Sequence, residues 1–180
     1  MVPMKIHFEE IDSTNSYAKR EYLTFLPVGM TCILADRQTA GRGRFQRPWV
    51  SPPKTNLLAS FCFRLPNPFP KLNALAQLMA ESLATCLIEE GLHPTFKWPN
   101  DLLLNEKKVA GILCEVLFEP TFIQAIIGVG LNLNMESADL SQIDQPATSL
   151  KEETGKSWDR DLFLQKLLNQ FKKDLERQSS

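Results

Sequence analysis

Val109-Ala110-Gly111-Ile112-Leu113-Cys114-Glu115-Val116-Leu117, a turn at Glu119-Pro120-Thr121, and Phe122-Ile123-Gln124-Ala125-Ile126-Ile127-Gly128-Val129-Gly130-Leu131-Asn132-Leu133 form the stretch that decides the fold. Two runs rich in apolar and β-branched residues, separated by a few turn residues, read as neighbouring antiparallel strands. Glycine weakens a strand and often marks a place where a ligand or another backbone comes close. Side chains alternate between faces, so Gly128 and Gly130 leave a flat strip on one side, which Asn132 continues. With Gly111 on the neighbouring strand, they make a floor on which a flat apolar ligand could lie. A tight helix–sheet contact would use the same glycines.

Working upstream, Asn105-Glu106-Lys107 is a hairpin turn after the short strand Leu102–Leu104, and Phe96–Trp98 is strand-like again. Between them stands Lys97-Trp98-Pro99-Asn100-Asp101. Lysine, asparagine and aspartate beside a proline suit a polar ligand site better than a core, although Pro-Asn-Asp is also a common turn. Lys108 heads the next strand. Earlier still, Leu72, Leu75, Leu78, Met79, Leu83, Leu87 and Ile88 recur at helical spacing over Lys71 to Glu90, and Gly91 ends that helix. The N-terminus gives a short edge strand at residues 5–11. Asp12-Ser13-Thr14-Asn15, dense in helix-capping residues, then opens a short helix. Downstream of Met135 come a polar loop, a capped helical turn near Thr148–Glu153, and an amphipathic helix from Asp159 to Glu176 with Leu162, Leu164, Leu167, Leu168, Phe171 and Leu175 apolar. Helices mixed with antiparallel strands argue an α+β fold: a mixed, mostly antiparallel sheet backed by helices.

Asp36 to Pro53 links the strands Thr31–Ala35 and Asn56–Arg64 as a long loop. Within it Gly41, Arg42, Gly43 and Arg44 alternate, and Arg47 and Trp49 follow. Glycine brings backbone N–H groups close to a ligand, and arginine offers fork-shaped donors to carboxylate or phosphate. A solvated basic turn would look the same in isolation. Three neighbouring arginines repel one another until an anion arrives, so the loop is expected to order over its ligand.

Composition narrows the partners. The chain has 180 residues, 43% hydrophobic and 23% charged, with net charge −1, which fits one domain spanning 1–180. Nothing in that balance draws the chain to nucleic acid or to an acidic membrane. No apolar run approaches a membrane span and no signal core opens the chain. Four separated cysteines within apolar runs and two distant histidines argue against a zinc site and for reduced thiols in the cytoplasm. Serine-hydrolase, Walker and dinucleotide-binding patterns do not occur.

Taken together, Ser13-Thr14-Asn15, Gln38-Thr39-Ala40-Gly41-Arg42-Gly43-Arg44, Lys97-Trp98-Pro99-Asn100-Asp101, Lys108-Val109-Ala110-Gly111-Ile112-Leu113 and Gly128-Val129-Gly130-Leu131-Asn132 resemble the biotin–protein ligases (biotin–acetyl-CoA-carboxylase ligases), in that family's order. The resemblance implies a catalytic domain like that shared by biotin ligases and class II aminoacyl-tRNA synthetases. It implies a two-step reaction. Biotin attacks the α-phosphate of ATP, with Mg²⁺, to give biotinyl-5′-AMP, and a lysine of a biotin carboxyl carrier domain then takes the biotinyl group.

The resemblance also implies residue roles. Ser13, Thr14, Asn15 and Gln38 would bind the ureido head of biotin. Gly111, Gly128 and Gly130 would line its slot, and Gly41, Arg42, Gly43 and Arg44 would close over it. Arg44, Lys97 and Lys108 would offset charge at the carboxylate and α-phosphate, and Asp101 would orient the attacking lysine. For ATP, Arg42, Arg44, Lys97 and Lys108 would be joined by Arg47 at the triphosphate, Trp49 at adenine, Asn100 at the phosphates, and Asn132. No side-chain cluster for a directly held metal is expected.

Gln46-Arg47 and Lys54 depart from residues usual in the family. Motifs beginning at Ser13 and a chain ending at Ser180 lead to the expectation of a form without a DNA-binding or SH3-like domain. Family members often dimerise edge to edge, and nothing in this sequence fixes such an interface. The alternatives are a lipoate or octanoate ligase of the same fold, which favours a different loop motif, and a non-catalytic biotin-binding module.

Overall fold

The hairpin turn at Asn105 and Glu106 sets the register of half the sheet. In the computed structural model, which describes residues 4–179, both residues take positive φ, 47° and 63°, as a two-residue turn matched to strand twist requires. The strands are β1 (Met4–Ile11), β2 (Met30–Gln38), β3 (Leu57–Pro66), β4 (Thr95–Lys97), β5 (Asp101–Leu104), β6 (Lys107–Phe118) and β7 (Phe122–Leu131). They form one seven-stranded sheet in the order β1-β2-β3-β7-β6-β5-β4. Only β1 and β2 run parallel; the other pairs are antiparallel. The fold is therefore α+β with a mixed, mostly antiparallel sheet, as the strand spacing and short turns suggest.

The helices are α1 (Thr14–Glu21), α2 (Leu75–Glu89), α3 (Ser137–Leu140), α4 (Leu150–Thr154) and α5 (Arg160–Ser179). Parallel pairing of β1 with β2 needs a crossover, which α1 supplies. Ser13 caps it: the hydroxyl accepts from Ser16 N at 3.4 Å. On the opposite face α2 and α5 cover the main core, where Phe171 meets Phe61 and Phe63 at ring separations of 6.1 and 5.9 Å. Leu83 and Leu87 of α2 and Leu167 of α5 are fully buried there. On the α1 face a smaller cluster joins Ala18, Phe25, Ile33, Cys62 and Ile126.

Two helical readings need correction. Ile88 and Leu162, counted with the apolar stripes, are 58% and 72% exposed. At about 3.6 residues per turn each falls on the side of its helix away from the buried positions. The polar stretch after Met135 also contains α3, one turn held by a capping box between Glu136 and Asp139. Cys32, Cys62, Cys86 and Cys114 are free thiols, and only Cys114 is not fully buried. No helix among the described residues is long and apolar enough to cross a membrane.

Candidate active site

Helix α1 lies over β2, β3 and β7 on its face of the sheet, and its Asn15 reaches Gly128. Gly111 and Gly130 pair across the β6–β7 ladder, and Gly128 lies two residues back along β7 on the same side. The glycines are thus contiguous, with the Trp49 ring over Gly111 and Gly130 and Asn15 over Gly128. The structure also shows why each lacks a side chain. A Cβ on Gly130 would stand 2.6 Å from the Trp49 ring, and one on Gly111 would stand 3.0 Å from it. A Cβ on Gly128 would stand 2.5 Å from Asn15 Oδ1. At Gly130 backbone and ring stand closer than a Cβ permits without displacing the indole, and at Gly111 a Cβ would be tight against it.

The roof is the arginine loop, which forms a small hairpin. Trp49 N donates to Gly41 O and Gly43 N to Arg47 O, at 2.9 and 2.8 Å, with a bridge between Arg42 and Pro48. A 3-10 turn at Arg44–Gln46 makes the tip, with Phe45 and Gln46 at positive φ. Gly41 is buried, and a Cβ there would press Gln38 and the Trp49 carbonyl. It serves the hairpin root and does not line the cavity.

A cavity of about 270 Å³ lies between floor and roof. It brings together Ser13, Thr14, Asn15, Gln38, Arg42, Gly43, Arg44, Arg47, Trp49, Lys97, Asn100, Asp101, Lys108, Gly111, Gly128 and Gly130, residues scattered over 118 positions of sequence (13 to 130). Asn132 lies elsewhere. Its amide is buried, with Oδ1 accepting from Asn56 Nδ2 at 3.2 Å and Nδ2 donating to Thr148 O at 3.0 Å. The strand ends at Leu131, so the strip does not continue and Asn132 ties the site's frame to the segment before α4.

At one end of the cavity Lys108 Nζ stands 2.8 Å from Asp101 Oδ1, both side chains mostly buried. The ammonium approaches off the hydrogen-bonding direction, leaving that oxygen without an aligned donor. Lys108 also lies 5.4 Å from the centre of the Trp49 ring, and the indole Nε1 is buried without a partner. The two chains of events that place Lys108 are backbone pairing with β5 and a bridge from Lys108 to Ala147. Lys97 and Trp98 end β4 beside them, with Trp98 stacked on Phe96 at 4.9 Å.

At the other end, Thr14 N donates to Gln38 Oε1 at 2.7 Å and Ser60 Oγ lies 2.7 Å from Thr14 Oγ1 and 2.5 Å from Asn15 Oδ1. Glu115, on the glycine side of β6, accepts from Lys19 Nζ at 2.8 Å, Asn15 Nδ2 at 2.9 Å and Arg42 Nη2 at 3.3 Å. Burial would raise its pKa, but Lys19, Asn15 and Arg42 outweigh that and hold it below the usual carboxylate value. The sequence reading passed over Glu115, Ser60 and Lys19. The signal for Glu115 was a carboxylate two and four residues beyond Leu113 and Gly111, on their face of an otherwise apolar strand.

Together these residues make a pocket with oxygen acceptors at one end, a glycine strip along one wall and lysines at the other end. Residues 7–132 match the Biotin/lipoate A/B protein ligase family, and the chain belongs to it. The chain is 36% identical over 171 residues to the bifunctional ligase/repressor BirA of Bacillus spizizenii, covering 93% of this chain and 52% of that protein. It is 35% identical over 174 residues to the biotin–[acetyl-CoA-carboxylase] ligase of Paracoccus denitrificans, covering 89% and 68%. Among solved structures, the biotin protein ligase from Aquifex aeolicus in complex with biotin and ATP superposes with a TM-score of 0.81 at 35% identity, covering 98% of this chain and 72% of that one. The chain spans about half the length of the BirA proteins it matches.

Proposed function

We propose that this chain carries the catalytic domain, residues 1–180, of an ATP-dependent biotin–protein ligase acting in the cytoplasm. The carrying observation is the single cavity in which the Gly111–Gly128–Gly130 floor runs from the acceptor-rich pocket at Thr14 and Asn15 to the Lys108–Asp101 pair. A flat apolar molecule with a polar head and a carboxylate tail fits that sequence of environments. Biotin is such a molecule, and the relatives named above support it. Free cysteines fit a reducing compartment.

In the first step a biotin carboxylate oxygen attacks the α-phosphorus of ATP. The bond from that phosphorus to the bridging oxygen breaks, and pyrophosphate leaves. Lys108, Lys97 and Arg44 supply positive charge where charge builds up, the dominant contribution in such transfers. Arg42 and Arg47 add to the cationic roof, Asn100 stands beside the phosphates, and Trp49 offers its ring to the base. Among the described residues no three metal-binding side chains gather, so Mg²⁺ is taken as arriving with the triphosphate as part of the substrate. In the second step a carrier lysine amine attacks the mixed anhydride and AMP leaves. Asp101, already paired with a lysine ammonium at 2.8 Å, is suited to receive and orient a second amine.

The test is to incubate the protein with Mg-ATP, a biotin carboxyl carrier domain, and biotin or lipoate, and to weigh the acceptor. A biotin-sized increment supports the proposal. A lipoyl-sized increment assigns the family's other branch, and biotin binding without any increment leaves a binding module.

A further inference from the structure

The head end of the cavity is short of protons. Thr14 Oγ1 lies 3.1 Å from Gln38 Oε1, and Ser60 Oγ contacts both Thr14 Oγ1 and Asn15 Oδ1. Gln38 Oε1 and Asn15 Oδ1 are acceptors only, and each hydroxyl carries one proton. Three oxygen–oxygen contacts therefore share two protons, and in every arrangement one contact has none. A ligand ring bearing N–H groups would supply what is missing, while a ring of carbon and sulfur would not.

That deficit exists only because the Asn15 amide faces one way. Its Nδ2 donates to Leu113 O at 3.2 Å and to Glu115 Oε2 at 2.9 Å, which turns Oδ1 toward Ser60 and the bare backbone of Gly128. The reverse orientation would press an oxygen against a carboxylate and a carbonyl. The same carboxylate holds Lys19, one helical turn along α1, and Arg42, whose other nitrogen donates to Ser16 Oγ at 2.6 Å. Glu115 thus ties the pocket-forming helix to the root of the arginine hairpin.

We propose that Glu115 is a positioning residue: by fixing the polarity of the Asn15 amide and the seat of Arg42, it makes the site select a head group that donates N–H bonds. The proposal rests on the biotin reading and names the group behind its selectivity. Replacing Glu115 by glutamine keeps the shape but gives Asn15 a neighbour that can donate as well as accept, so the Leu113 carbonyl alone is left to fix the amide's polarity. Asn15→Asp alone sets two carboxylates face to face. In the double variant Asn15→Asp/Glu115→Gln, the new glutamine amide donates to the new carboxylate and an acceptor still stands above Gly128, although the Leu113 carbonyl loses its donor.

The experiment measures biotin, lipoate and ATP binding by calorimetry, with thermal midpoints, for the parent and all three variants. Glu115→Gln is expected to weaken biotin by about tenfold or more, to weaken ATP less than biotin, and to narrow the preference for biotin over lipoate. The double variant is expected to bind biotin more tightly than either single variant. Glu115→Gln binding biotin like the parent overturns the proposal. So does a folded double variant no better than either single, which also decides the case if Glu115→Gln alone lowers the thermal midpoint. A parent that binds lipoate and not biotin overturns the functional reading and this proposal together, an outcome distinct from the other two.

Discussion

Lys108 and Asp101 are best understood as one unit. Each side chain is mostly buried and each has the other as its ion-pair partner at 2.8 Å. Removing either leaves a poorly solvated charge behind, so the two deletions should not add. Lys108→Met is expected to lower pyrophosphate release by about a hundredfold or more, because it removes a cation aimed at developing charge. Asp101→Asn keeps the shape and is expected to slow transfer to the carrier more than it slows adenylate formation. Pyrophosphate release and carrier labelling, measured side by side, separate these effects; equal losses in both for Asp101→Asn would refute its assignment to the second step. Gly130 gives a sharper steric test. A methyl there would overlap the Trp49 ring at 2.6 Å, so Gly130→Ala should displace the indole, cost about 1–3 kcal/mol of stability in a urea titration, and weaken ATP binding. Residues of this kind were legible in the sequence because their chemistry is unusual for their place: glycine in a strand, lysine at a strand head. Glu115 and Ser60 were not, since a lone carboxylate or hydroxyl in a strand gains meaning only from neighbours on other elements.

The arginine hairpin is the element on which the proposed reaction turns. Its root is clasped by backbone bonds at Gly41–Trp49 and Gly43–Arg47 and by Arg42 to Glu115, while its tip exposes Arg44, Phe45 and Arg47 to solvent. A clasped root with an exposed tip suits a lid that closes over the mixed anhydride and keeps water away. Arg44→Gly is therefore expected to let biotinyl-AMP escape. Bystander lysines of an unrelated protein such as albumin would then become labelled, as read by a streptavidin blot; retention of the intermediate as tight as the parent's would refute the gating role. Element existence was largely readable from periodicity, including α2, α5 and the turn at Asn105. The hairpin within residues 36–53 was not, because Gly-Arg-Gly-Arg lacks the apolar–polar alternation of a strand and its pairing of Arg42 with Pro48 depends on a tryptophan anchored on a distant strand. Ile88 and Leu162 were grouped with the stripes for being apolar, although at about 3.6 residues per turn both fall away from the buried side of their helices.

At the scale of the molecule, the first strands and the last helix are tied together by charge that no sequence pattern announced. The class of the fold followed from strand spacing and short turns, but the order β1-β2-β3-β7-β6-β5-β4 depends on contacts far apart in the chain. Asp36, buried at the end of β2, is one such contact. Its Oδ1 accepts from Arg160 Nη1 at 2.5 Å, at the start of α5, and meets His7 Nε2 of β1 at 2.7 Å. Lys5 and Asp161 pair beside them. Burial would raise the pKa of Asp36, but the bonds from His7 and Arg160 outweigh it, and the folded-state value lies below the ordinary one. A depressed carboxylate stabilises the fold at pH above its unfolded value, and that contribution is lost as pH falls through the folded value. Arg160→Met should strand the carboxylate and lower stability near neutral pH by about 2–3 kcal/mol. The difference between parent and variant should shrink below about pH 4, where the unfolded carboxyl begins to hold its proton. Urea midpoints taken across that range check the sign. A gap that stays constant with pH would mean that Arg160 stabilises α5 by packing alone, and that the bond to Asp36 does not join the first strands to the last helix.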